Sequence, residues 1–244
     1  LVKKITFTGS TKIGKLLMKD SSSTVKNISL ELGGNAPFVV FADADISNAI
    51  EGFIAAKFRN AGQTCISANR LFVEEKIFDK FLKKLVVRIK KLKVGNGFEK
   101  SDVGPLISKK AIKKIKNHID DALSKGGEIL IGGKKSKIGK LFFEPTIVTN
   151  INKSMKIFSN ENFGPIIPVI NFKTDDELIQ LANDTNYGLA AYFYTKKASR
   201  VWKIIENLEY GMLGINSGKI SSYLNPFGGL KESGVGREGS IQCL

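Results

Sequence analysis

Phe58-Arg59-Asn60-Ala61-Gly62-Gln63-Thr64-Cys65 closes a helical run, passes a glycine-containing turn and delivers one interior cysteine. The rest of the chain reads outward from it. Upstream, residues 26–32 alternate as a strand ending at Glu31-Leu32, and Gly33-Gly34-Asn35 breaks it. Phe38-Val39-Val40-Phe41 is a short, wholly apolar strand of the kind a parallel sheet covers on both faces. Asp43 or Asp45 is placed to cap the helix that then runs to about Arg59. Downstream, Glu161-Asn162-Phe163-Gly164-Pro165 precedes another strand-like segment, 166–172.

The same alternation of periods continues to both ends. Residues 2–8 predict a strand, and Gly9-Ser10-Thr11 opens a helix over about 11–19. The clearest helix covers 76–92, with Phe78, Phe81, Leu82, Leu85 and Ile89 on one face and Lys83, Lys84, Lys90 and Lys91 largely opposite. A second lysine-rich helix is expected at 108–125, with others near 174–184 and 197–208. Strands are expected at 128–131, 145–148, 166–172, 190–194 and 212–216. Such alternation implies an α/β layered fold with right-handed crossovers. No internal repeat or low-complexity linker interrupts it.

Composition narrows the function. The chain has 244 residues, enough for a substantial core, and 42% of them are hydrophobic, as in globular α/β proteins. No apolar run approaches the ~20 residues needed to span a bilayer, so no membrane partner is expected. The formal charge is +15, yet 33 of the 38 basic residues are lysines spread along helix faces, without interleaved aromatics. That pattern describes solvated surfaces with salt-sensitive adhesion to polyanions, not specific nucleic-acid binding. Cys65 and Cys243 form no disulfide framework and no metal-ligand spacing, so no metal is expected and a reducing compartment is inferred. Cys243 carries no motif.

A cysteine nucleophile works as the thiolate and needs a base. The only histidine, His118, lies inside the lysine-rich 108–125 helix pattern, which argues against a Cys-His hydrolase and points to a carboxylate. Glu31, at a strand end against two glycines, is the candidate, since glycines let backbone and ligand approach closely. Taken alone, Cys65 also fits a buried structural thiol and Glu31 a surface carboxylate. Phe7-Thr8-Gly9-Ser10-Thr11-Lys12-Ile13-Gly14 is a strand–Gly–helix junction whose free N–H groups suit a pyrophosphate, although it is not GxGxxG.

Together the three segments around Glu31, Cys65 and Glu161 resemble the NAD(P)-dependent aldehyde dehydrogenase superfamily over nearly the whole chain. The segments 191–194, 211–216 and 226–234 are most similar to its succinate-semialdehyde dehydrogenases. The resemblance implies an α/β fold: a catalytic domain with a layered, mostly parallel sheet, plus the tail end of a Rossmann-like cofactor domain. It implies Cys65 as nucleophile and Glu31 as base. Gly9 and Ser10 would contact the phosphates of NAD or NADP, with Leu32 also on the cofactor, Glu161 on the ribose and Phe163 on the nicotinamide. Arg59 and Ser221 would hold the distal carboxylate of a small-molecule aldehyde; by its residue type alone, Arg59 could instead pair with carbonyls at its helix end.

The implied reaction is oxidation of succinic semialdehyde to succinate through a cysteine thiohemiacetal and thioester. The alternatives are another semialdehyde, such as glutarate semialdehyde, or a catalytically inactive fragment. The implied layout is a cofactor-domain remnant at 1–33, a catalytic domain at 34–228 and a return segment at 229–244. The remainder of the cofactor domain is expected before Leu1, and a pairing strand after the region of Gly239-Ser240. Intact relatives would be homo-oligomers, and the expected location is cytoplasmic, or the mitochondrial matrix if the source is eukaryotic. Ser67 stands where many relatives carry a second cysteine, so no disulfide switch is expected on that loop.

Overall fold

A computed structural model describes residues 2–241; Leu1 and residues 242–244, Cys243 among them, lie outside the described residues. The chain begins with strand β1 (Lys4–Thr8), helix α1 (Thr11–Ser22) and strand β2 (Asn27–Glu31). It continues through β3 (Ala36–Val40), α2 (Ile46–Phe58), β4 (Ala68–Glu74), α3 (Phe78–Ile89) and α4 (Lys109–Ser124). Next come β5 (Glu128–Ile131), β6 (Thr146–Thr149), α5 (Lys156–Ser159), β7 (Ile166–Phe172) and α6 (Asp175–Asn183). The last elements are β8 (Tyr187–Gly188), β9 (Ala190–Tyr194), α7 (Ala198–Asn207), β10 (Met212–Ile215), β11 (Leu230–Lys231) and β12 (Gly234–Val235).

Seven strands form the main sheet in the order β10-β9-β3-β4-β7-β6-β5. All its pairings are parallel except that of β5 with β6. Side chains alternate across it as strand geometry requires. Phe38, Val40, Leu71, Val73 and Val169 pack with the apolar stripes of α2, α3 and α4 on one face. Val39, Phe41, Phe72, Ile170 and Phe193 pack with α6 and α7 on the other. A smaller sheet, β1-β2-β12, stands apart, with β1 parallel and β12 antiparallel to β2. The layered, mainly parallel α/β architecture is therefore present.

Two local outcomes matter for the site. Asp45, not Asp43, caps α2, accepting from the amides of Ser47 and Asn48; Asp43 instead pairs with Arg200 and Thr195. More consequential is β4, a strand that the alternation does not announce. It is central and buried along its whole length despite Asn69, Arg70 and Glu74. Each of these side chains has found a partner inside, Nε alone of the Arg70 side-chain nitrogens having none. Arg70 donates to the carbonyls of Leu181, Ala182 and Asn35 and to Tyr210, and stacks against Phe72 and Phe158. Glu74 accepts from the Ala42 amide at 2.8 Å. Pairing of this kind is what makes burial of polar side chains tolerable.

Candidate active site

The polypeptide reaches Cys65 through a strained turn. After α2 ends, Asn60 (φ 51°), Ala61 (φ 56°) and Gly62 (φ 78°) are left-handed in succession. The left-handed region costs an L-residue about 1–2 kcal/mol, so something must hold it there. Asn60 and Gln63 do so by exchanging side-chain to backbone hydrogen bonds, each 3.1 Å long. Gln63 also donates to Pro105 O and accepts from the Ile107 amide. Glycines then let the three motif segments touch. A Cβ at Gly34 would lie 2.1 Å from Cys65 O, and one at Gly62 would lie 2.4 Å from Gly164 O. Segments 31–35, 58–65 and 161–165 thus interlock through backbone contacts that no larger residue permits.

The interlocked segments open onto a cavity of about 610 Å³. Cys65, Glu31, Gly9, Ser10, Leu32, Glu161, Phe163, Arg59 and Ser221 all line it, so every site residue singled out in the sequence reaches one space. A second cavity of about 510 Å³ adjoins it through shared Arg59, Thr64, Ile66 and Ser221, and adds Arg88, Asp102 and Lys219. Arg59 forms the cap at the end of α2, but its guanidinium has no hydrogen-bond or ion-pair partner among the described residues. The reading in which it merely satisfies helix-end carbonyls is therefore set aside. The Ser221 hydroxyl is likewise unpartnered.

Burial sets the protonation states. It pushes the Glu31 carboxyl up to about 7, Glu238 adds to the rise, and Arg237 opposes it. Neither Glu31 oxygen has a hydrogen-bond partner. The carboxyl lies against Gly228, where a Cβ would come within 3.1 Å of Oε1. Burial also pushes the Cys65 thiol up to about 11, with the charges of Glu161 and Glu31 adding to it. The resting sulfur is thus a thiol, in one cavity with a carboxyl whose own affinity for protons is centred near neutrality.

Elsewhere in the lining, Glu161 Oε1 accepts from the Gly34 amide at 3.0 Å, while burial raises its pKa above the usual carboxylate range. Phe163 is held left-handed at φ 53°. At the cavity's edge, Ser10 is the N-cap of the twelve-residue α1, whose first turn contains no acidic residue. A helix N-terminus beside Gly9, with no acidic residue in its first turn, fits a pyrophosphate. The residues present therefore fit a dinucleotide.

Sequence reasoning missed several lining groups. Lys114 of α4 reaches the cavity beside Glu161, although the pattern reads it as one more solvated lysine. Only its spacing of three from Ala111, also a lining residue, hints at a shared face. Thr64, Gln63 and Phe227 line the cavity as well. His118 does not; it is buried and bonded to Asn162. Among the described residues, no group of three or more His, Cys, Asp or Glu side chains is placed to hold a metal ion, and no helix is long and apolar enough to cross a membrane.

A model of the aldehyde dehydrogenase family matches residues 1–244. The chain belongs to the aldehyde dehydrogenase family. It is 53% identical over 244 residues to a probable succinate-semialdehyde dehydrogenase [NADP(+)] of Sinorhizobium fredii, covering 100% of this chain and 50% of that protein. It is 51% identical over 241 residues to a glutarate-semialdehyde dehydrogenase of Pseudomonas aeruginosa, covering 98% of this chain and 50% of that one. The crystal structure of succinate-semialdehyde dehydrogenase from Burkholderia pseudomallei superposes with a TM-score of 0.97 at 53% identity, covering 99% of this chain and 50% of that chain. This aldehyde dehydrogenase chain therefore spans about half the length of the relatives it matches.

Proposed function

We propose that the protein oxidises a short aldehyde bearing a distal carboxylate, succinic semialdehyde first and glutarate semialdehyde second, with NAD or NADP. The observation that carries this reading is one cavity containing a half-buried thiol, an unsatisfied carboxyl of near-neutral pKa and an unpartnered guanidinium. Glu31 takes the Cys65 proton, directly or through water, and the sulfur adds to the aldehyde carbon. The Cys65 amide faces the resulting oxyanion. Arg59 and Ser221 hold the far carboxylate by charge-assisted hydrogen bonds, which orients the carbonyl toward sulfur. Gly9 and Ser10 would hold the cofactor phosphates, with Leu32, Glu161 and Phe163 against its nicotinamide half. Bound NAD(P)⁺ supplies the hydride acceptor that takes the Cys65 adduct to the thioester level. Glu31 then deprotonates the water that releases the acid and frees Cys65. In balance, aldehyde, water and NAD(P)⁺ become carboxylate, NAD(P)H and two protons.

In this reading β1, α1, β2 and β12 belong to the cofactor domain and the seven-stranded sheet to the catalytic domain. The intact protein acts as a homo-oligomer in a reducing compartment, the cytoplasm or the mitochondrial matrix, where Cys65 remains a thiol. A second reading is a chain that keeps the fold without the chemistry. Reduced-cofactor absorbance with succinic and glutarate semialdehydes, alongside mass-detected labelling of Cys65, separates the two. Turnover that disappears with Cys65→Ala supports the first reading. Labelling without turnover, in protein that binds both cofactor and aldehyde, overturns it.

A further inference from the structure

Between Glu161 and Phe163, which line the cavity, stands Asn162, which points the other way and is 0% exposed. Its amide group is fully used. The backbone N–H donates to Asn69 Oδ1 at 2.9 Å, and Nδ2 donates to Ile157 O at 3.1 Å. Oδ1 meets His118 Nδ1 at 2.8 Å. Because Nδ2 faces a carbonyl, the oxygen must be the atom turned toward His118, so the imidazole donates from Nδ1. Asn69 passes the chain on to Asn35 Oδ1 and Asn160 O, and Asn35 donates to Phe158 O and Thr185 Oγ1. The carbonyls of Ile157, Phe158 and Asn160, at and just past the end of α5, thus accept bonds from buried side chains.

His118 sits on α4 one turn beyond Lys114, and Lys114 and Ala111 on the same helix line the cavity. Between them Ile115 packs so closely on the loop that a Cβ at Gly164 would lie 2.1 Å from its Cδ1. The helix and the loop are therefore one unit, joined by apolar contact at residue 164 and by a single hydrogen bond at residue 162. We propose that His118 is a positioning residue: its Nδ1–H fixes Asn162, and through it the placement of Glu161 and Phe163 against the cofactor. This rests on the cofactor reading of the cavity given above. Burial lowers the imidazole's affinity for a proton, its bond to Asn162 and the charge of Asp121 oppose that, and Lys114 and Lys156 add to it. Nothing else in the site requires a histidine here, since it neither lines the cavity nor faces Cys65.

The test compares His118→Leu, which removes the donor, with His118→Gln, which retains one. Cofactor Kd is read by quenching of NAD(P)H fluorescence, loop order by hydrogen exchange of the amides at 160–164, and site chemistry by aldehyde KM and Cys65 labelling rate. A lost buried hydrogen bond is expected to raise the cofactor Kd about tenfold in the Leu variant. Exchange at Asn162 and Phe163 should quicken, while aldehyde KM and labelling stay constant and Gln restores most of the loss. Asn162→Leu, which removes the acceptor, should give the same signature and serves if His118→Leu does not fold. Unchanged Kd and exchange in the Leu variants, or equal defects in Leu and Gln, overturn the proposal alone. Wild-type protein that binds no NAD(P)H overturns the cofactor reading and this inference together.

Discussion

Two parts of the cavity lining treat a buried carboxyl differently. On one, the Glu31 carboxyl is buried with both oxygens unpaired, and its proton affinity has moved toward neutrality. On the other, Glu161 is tied to Gly34, and the residues beside it are tied to Asn35, Asn69 and His118. An unsatisfied group is a costly one, since burying a polar atom without a partner disfavours its charged form. That cost is what makes Glu31 exchange protons near pH 7. Burial raises the Glu161 carboxyl too, but its bond to the Gly34 amide opposes that rise and fixes its position.

The sharpest way to break this contrast is Glu31→Gln. Turnover should fall by about 10²–10⁴, the usual worth of a general base. Stability should move the opposite way. From pH 4.5 to about 7 the native protein holds a proton on Glu31 that the unfolded chain has released, so wild type loses stability as pH rises through that window. The Gln variant should not, and melting curves across the window decide the matter.

Next in size is Arg59→Gln, which should raise aldehyde KM about 10–100-fold by removing charged hydrogen bonds to the distal carboxylate. An uncharged aldehyde of equal length should show no such change, and if it does the guanidinium is structural. Gly34→Ala tests the backbone contact between segments 31–35 and 58–65. With its Cβ 2.1 Å from Cys65 O, it should cost about 1–3 kcal/mol of stability by denaturant melt and slow Cys65 labelling.

Lys57 sharpens the comparison from outside. Its Nζ is as unsatisfied as the Glu31 carboxyl, and burial pulls its pKa down to about 7, but it lines neither cavity. Below its unfolded value of 10.5 the unfolded chain binds a proton that the native state lacks, so stability rises with pH from about 7 toward 9. Lys57→Met should abolish that rise, about 1.4 kcal/mol per pH unit, and leave turnover unchanged. An orphaned group becomes reactive only where a substrate can reach it.

Most helices and strands were legible because their apolar periods are strong, and α3 and α4 fall within a few residues of expectation. β4 was not, because Asn69 and Arg70 look like surface residues until Asn35, Asn162 and the end of α6 are placed around them. Lys114 was lost for a related reason. One lysine among many has no pattern of its own, and only the packing of α4 turns it toward Glu161.

By itself the sequence determined which groups could react. A lone interior cysteine, a carboxylate before paired glycines and an arginine six residues from the sulfur are chemical identities carried by local motifs. Only the tertiary structure decided their states. Contacts between segments distant in the chain raise the proton affinities of the thiol and the carboxylate and tie His118 to Asn162, while Arg59 stays exposed with its guanidinium unpaired.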